Sequence, residues 1–220
     1  MIEKIEIRNL LPCVFAGMED TDRIRSSQIW EEPSFVFHRG CRLCVHAESG
    51  NGKSSLLHFI YGSRKDYKGS ILFDGTNISA LSIAQWCDVR TKGIALLPQD
   101  MALFPELTVG QNIDLKNNMT HHKSSEQIKD LLARLGIDDK HDVAAGKLSI
   151  GQMQRVALVR AVCQPFDFIF LDEPVSHLDA RNNKIVADII TEEANSQGAG
   201  IISTSVGNHL MLDNAKFVSL

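Results

Sequence analysis

Ala47-Glu48-Ser49-Gly50-Asn51-Gly52-Lys53-Ser54 follows the apolar run Leu43-Cys44-Val45 and leads into Leu56, Leu57, Phe59 and Ile60. The order reads as strand, glycine loop, helix. Such a loop turns its backbone N–H groups inward, and the helix behind it adds the positive end of its dipole. Ser49, Gly50, Asn51, Gly52, Lys53, Ser54 and Ser55 therefore make a candidate phosphate cradle. In such a loop Lys53 reaches the outer phosphates and the Ser54 hydroxyl holds Mg²⁺. The usual pattern is G-x-x-x-x-G-K-[ST], and Ala47 stands where the first Gly belongs. Alanine costs little there while its backbone stays at negative φ.

A second apolar run, Phe168-Ile169-Phe170-Leu171, ends in Asp172-Glu173. Continuous apolar runs suit central parallel strands, and parallel strands bring their ends together. Asp172 is thus expected beside Ser54, holding Mg²⁺ through water. Glu173 is the acid nearest a γ-phosphate, placed to take a proton from an attacking water. A third run, Ile94 to Leu97, is stopped by Pro98 and delivers Gln99 and Asp100 into a loop. Phosphoryl transfer chiefly needs positioning and charge neutralisation, which such a set supplies.

Along the chain, strands are expected at 3–10, 34–37, 41–46, 70–73, 94–97, 168–171, 200–203 and 215–220. Capping boxes at Thr108–Gln111, Ser124–Gln127 and Ser149–Gln152 start three helices. Another helix is expected over 180–196, and residues 17–33 read as irregular. Strands alternating with helices predict an α/β fold with a mostly parallel sheet. An antiparallel β subdomain near the N-terminus and a helical insert over about 105–147 complete one domain, 1–220.

The net charge of −4 gives no electrostatic case for nucleic acid as a partner. No stretch approaches the ~20 apolar residues that span a bilayer. The alternating N-terminus, Ile2 to Ile7, lacks the core of a signal peptide. Five scattered cysteines suit a reducing compartment. The chain reads as cytoplasmic. Cys41 and Cys44 form C-x-x-C, but on a strand residues three apart face opposite ways, so buried small side chains are expected.

Leu148-Ser149-Ile150-Gly151-Gln152-Met153-Gln154-Arg155 resembles the L-S-G-G-Q-x-Q-R signature of ABC ATPases. The order of parts agrees: the loop at 47–54, Gln99, the signature, Asp172-Glu173-Pro174, then Ser176-His177-Leu178-Asp179 as the D-loop. Leu103 to Val109 also resembles the segment after the Q-loop in transporter subunits. The resemblance implies an ATPase that powers a separate membrane permease. It implies a head-to-tail dimer, of two copies or with a paralogous ATPase, with ATP between them. Ser149, Gly151 and Gln152 then meet the γ-phosphate of the partner's nucleotide, and Gln99 touches Mg²⁺ or the attacking water. The chain would lie against the inner face of the cell membrane. Met101 to Phe104 either lines the groove for a permease helix or is ordinary core of the insert. Repair-type relatives carry long coiled coils and translation-type relatives fuse two ATPase domains. This chain has neither, so transport is favoured over a non-transport ATPase.

Three departures stand out. Ile150 replaces the first signature Gly, and a β-branched residue resists φ > 0 and adds bulk near a phosphate. Ser205 stands where the family places a His beside the γ-phosphate, and it is too short to make that contact without backbone movement or a bridging water. His209 is expected in the next helix, facing solvent. This loss also motivates the alternative of an ATP-gated switch with weak hydrolysis. Trp30 and Phe15 are the candidates for stacking on adenine, although the register falls nearer Arg23-Ile24-Arg25, which has no aromatic.

Overall fold

The computed structural model describes residues 1–18 and 20–220, with the Arg23 side chain also left out. The adenine register at 23–25 thus falls partly outside the described residues. Among them the elements run β1 (Lys4–Pro12), α1 (Asp22–Arg25), β2 (Ser34–His38), β3 (Arg42–His46), α2 (Lys53–Ile60), β4 (Tyr67–Phe73), β5 (Thr76–Asn77), α3 (Ile83–Asp88) and β6 (Ile94–Leu97). There follow α4 (Val109–Asn117), α5 (Ser125–Arg134), α6 (Ile150–Val162), β7 (Phe168–Leu171), α7 (Ala180–Gln197), β8 (Gly200–Ser205) and β9 (Lys216–Ser219).

The larger sheet has the order β6-β7-β8-β3-β9, and all its pairings are parallel. The smaller sheet, β2-β1-β4-β5, is antiparallel. The side-chain period of two divides each central strand between two cores. Phe168 and Phe170 of β7 pack with α2 and the antiparallel sheet. Ile169 and Leu171 pack with α4 to α7 on the other face. This two-sided burial is why the run reads as unbroken apolar sequence.

Helix α2 lies between the two sheets, and its Leu56, Leu57, Phe59 and Ile60 are fully buried. Each contributes about 1.5–3 kcal/mol of burial. The glycine loop is therefore mounted on a rigid core. The three expected capping boxes are present at Thr108, Ser124 and Ser149.

Two local expectations are corrected. A fourth capping box, Ser82 with Gln85, starts α3, which sequence reading left unassigned. The segment 206–214 is not helical, so His209 lies in an irregular connection. Gly207 there takes φ 137°, and the Asn183 side chain donates to the His209 carbonyl at 2.9 Å. A carbonyl engaged by a neighbouring helix is not available for a helical turn of its own. The C-x-x-C pair is not a site: Cys44 is buried, and burial pushes the Cys41 thiol up to about 11.

Candidate functional site

The parallel register aligns the strand ends. Leu97, Leu171 and Ser203 lie in one row across β6, β7 and β8, and Val45 pairs with Thr204. The residues just beyond are the loop at 47–54, Asp172 and Gln99. Ser54, Gln99 and Asp172 accordingly line one cleft of about 390 Å³.

The loop itself is shaped by glycine. Gly50 and Gly52 take φ 86° and 95°, and Gly52 caps α2. A Cβ added at Gly52 would come within 3.3 Å of the Trp30 ring. Ala47 keeps negative φ, as its substitution requires. Lys53 is folded back on the loop, donating to the carbonyls of Ala47 at 3.0 Å and Glu48 at 3.1 Å. Its ammonium is 3.8 Å from Glu173 Oε1. Burial holds the Lys53 pKa below its ordinary value, against the opposing pull of Glu173 and Asp172.

Asp172 is buried. Its Oδ1 accepts from Thr204 Oγ1 at 2.6 Å, and its Oδ2 has no hydrogen-bond partner among the described residues. A buried carboxylate oxygen without a partner is costly unless something positive completes it. One carboxylate, the Ser54 hydroxyl and an open cleft fit Mg²⁺, which prefers few protein oxygens plus substrate phosphates and water. No cluster of three His, Cys, Asp or Glu exists among the described residues to suit a metal of another kind.

Glu173 has φ 49°, a region that costs a non-glycine residue about 1–3 kcal/mol. Two side chains hold it there. Thr204 Oγ1 accepts from the Glu173 N–H at 3.1 Å, and Gln154 donates to the Glu173 carbonyl at 3.0 Å. Gln154 Oε1 also accepts from the His177 N–H at 3.3 Å. Thr204 and Gln154 escaped sequence reading as site residues. The Q-x-Q spacing of the signature was the only signal for Gln154, and Thr204 carried none beyond its place before Ser205.

Ser149 caps α6 and is exposed, with Ile150 at the first helical position. Ile150 therefore has helical backbone, and the strain expected from φ > 0 does not arise. Gly151 approaches the D-loop closely, since a Cβ there would sit 3.2 Å from the His177 carbonyl. Helix α6 packs on the opposite face of the parallel sheet from α2. The N-terminal ends of α2 and α6 thus belong to different cores of one chain.

Trp30 corrects the adenine expectation. It is 6% exposed, its ring lies under Gly52, and its Nε1 donates to the Asn51 carbonyl at 3.2 Å. A ring so covered offers no open face to a base; it supports the loop from below. Trp30→Ala should cost about 3–5 kcal/mol of stability. Chemical denaturation measures this, and a cost under about 1 kcal/mol would refute the packing role. Ser205 is buried, with its hydroxyl 3.5 Å from Cys44 Sγ.

The ABC transporter family model matches residues 30–176. The lipoprotein-releasing system ATP-binding protein LolD of Buchnera aphidicola is 33% identical over 162 residues, covering 72% of this chain and 71% of that protein. The xylose import ATP-binding protein XylG of Escherichia coli is 35% identical over 153 residues, covering 66% of this chain but only 29% of XylG. Among solved structures, the dimeric bacterial ABC transporter cassette MJ0796 aligns with a TM-score of 0.75 at 19% identity, over 98% of this chain and 94% of that one. The putative ABC transporter ATP-binding protein from Pyrococcus furiosus gives 0.70 at 24% identity, over 98% and 97%. Among the described residues no helix is long and apolar enough to cross a membrane. With the glycine loop, the acidic strand end and the signature helix arranged as described, this chain belongs to the ABC transporter family as an ATP-binding ATPase subunit.

Proposed function

We propose that the chain hydrolyses MgATP in a head-to-tail dimer and passes the resulting motion to a membrane permease. The observation that carries the reading is the meeting of Lys53, Glu173 and the unpartnered Asp172 oxygen at the strand ends. The amides of 49–52, with Lys53, Ser54 and Ser55, take the phosphates. Ser54, Asp172 and Gln99 would hold Mg²⁺, which would supply charge neutralisation for the phosphates. Glu173 accepts a proton from water as the water oxygen bonds to the γ-phosphorus. The bond from that phosphorus to the ADP oxygen breaks, and ADP and phosphate leave.

The second half of the site comes from the partner copy. Ser149 and the N–H groups at the start of α6 lie on the exposed end of a helix, where an anion is favoured. Within one chain α6 and α2 sit on opposite sheet faces, so a second copy supports joining their ends. Exposed Phe104, Leu115 and Met119 on and beside the helical insert support docking of an amphipathic permease helix there. Met101 and Leu103 instead pack on the insert's core.

Coexpression with a multi-spanning membrane protein encoded by a neighbouring gene tests this reading. The expected result is a detergent-stable complex whose ATP turnover exceeds that of the chain alone. A chain that stays separate from that protein, with unchanged turnover, would remove the transport assignment.

A further inference from the structure

The missing switch histidine leaves a specific gap. Ser205 ends β8 with its short side chain buried and its hydroxyl 3.5 Å from Cys44 Sγ, so this serine offers the nucleotide no donor. The next strand over supplies one. His46 is the last residue of β3, the direct register partner of Ser205, and stands immediately before Ala47 of the loop. It interrupts the apolar run Leu43-Cys44-Val45 with an exposed polar ring, which core packing does not call for.

A cavity of about 630 Å³ connects these parts. Its wall includes His46, Ala47, Glu48, Ser205, Gly207 and His209. Ala47 and Glu48, two residues of that wall, also hold the Lys53 ammonium through their carbonyls. The cavity therefore adjoins the first residues of the loop and the strand end where the resemblance places a histidine.

Two histidines share this space, and their attachments differ. His209 sits on the irregular connection, which Asn183 ties to α7 and Asn208 ties to the Val175 carbonyl, just before the D-loop, at 2.9 Å each. Its ring stands perpendicular to Phe217 at 5.1 Å. The His46 ring lies farther from Phe217, at 6.3 Å, on a strand whose next residue is the loop. An exposed ring changes rotamer within nanoseconds, so its present rest on Phe217 does not hold it.

We infer that His46 replaces the switch histidine, donating a hydrogen bond to the γ-phosphate end of the nucleotide from β3 instead of β8. The inference rests on the ATP site proposed above. It adds no proton to the reaction; water's proton still goes to Glu173. The donor strengthens as charge gathers on the departing phosphoryl oxygens, so its effect falls on turnover more than on ATP affinity.

The test is steady-state ATP hydrolysis by the chain assembled with its membrane subunit, beside equilibrium binding of a fluorescent ATP analogue. His46→Ala should lower kcat about 10- to 100-fold while ATP affinity stays within about threefold. His46→Val, a good strand residue, should do the same, which guards against a folding defect. His209→Ala should keep native turnover. Adding Ser205→His to His46→Ala should restore kcat, because it returns a donor to the same cavity from the neighbouring strand. A purely structural His46 would not be rescued this way. Native kcat in His46→Ala, or a loss that Ser205→His leaves unrestored, overturns the assignment. Lys53→Ala runs alongside: weakened ATP binding there with native turnover in His46→Ala overturns the His46 role alone. Native ATP binding in Lys53→Ala overturns the site and the His46 role together.

Discussion

Glu173→Gln should abolish most ATP turnover, by about 100-fold or more, and leave an ATP-bound dimer that gel filtration resolves from the monomer. The substitution keeps the shape of the side chain and its strained backbone. Thr204 and Gln154 bind the Glu173 backbone, not its carboxylate, so the left-handed conformation at φ 49° is retained. What is lost is the proton acceptor and the negative charge 3.8 Å from the Lys53 ammonium. The pair is largely buried, but the Ala47 and Glu48 carbonyls still hold the ammonium after the substitution, and the amide keeps a polar oxygen beside it. Binding of ATP therefore survives while hydrolysis stops. Turnover within about threefold of native, with a chain that stays monomeric in ATP and its permease, would contradict both the role of Glu173 and the shared site.

Lys53→Ala acts on the earlier step. The ammonium is almost completely buried and is held by two loop carbonyls and the Glu173 carboxylate. It is poised to exchange one of these for a phosphate oxygen. Hydrogen bonds to charged groups are worth about 1.5–3 kcal/mol, which corresponds to roughly a 10- to 100-fold loss of ATP affinity. Titration with a fluorescent ATP analogue measures it. The folded chain should tolerate the change, because removing a desolvated charge offsets the lost contacts. An unchanged affinity would show that the loop does not cradle phosphate.

The readable parts of the sequence were those with local causes. The glycine loop, the capping boxes and the unbroken apolar run of β7 each arise from neighbours in sequence. The box at Ser82–Gln85, which starts α3, carries the same local signal as the other three. The helix expected around His209 failed for a non-local reason: Asn183 of α7 takes the carbonyl of His209 and, with its Oδ1, the N–H of Met211. Trp30 lay within a polar stretch with no periodicity, and its place beneath Gly52 depends on how the antiparallel sheet folds over the loop.

By itself, then, the sequence determined the α/β class, the phosphate-binding loop and the acidic strand end, because each is encoded by residues within one turn or one strand. Only the tertiary structure decided which groups meet. Thr204 bridges Asp172 and Glu173 across 32 and 31 positions, and Gln154 reaches Glu173 across 19. His46 and Ser205 become neighbours through the register of β3 on β8. Such contacts follow from strand order and packing, which bring distant residues together for the whole chain at once and leave no pattern at any one position.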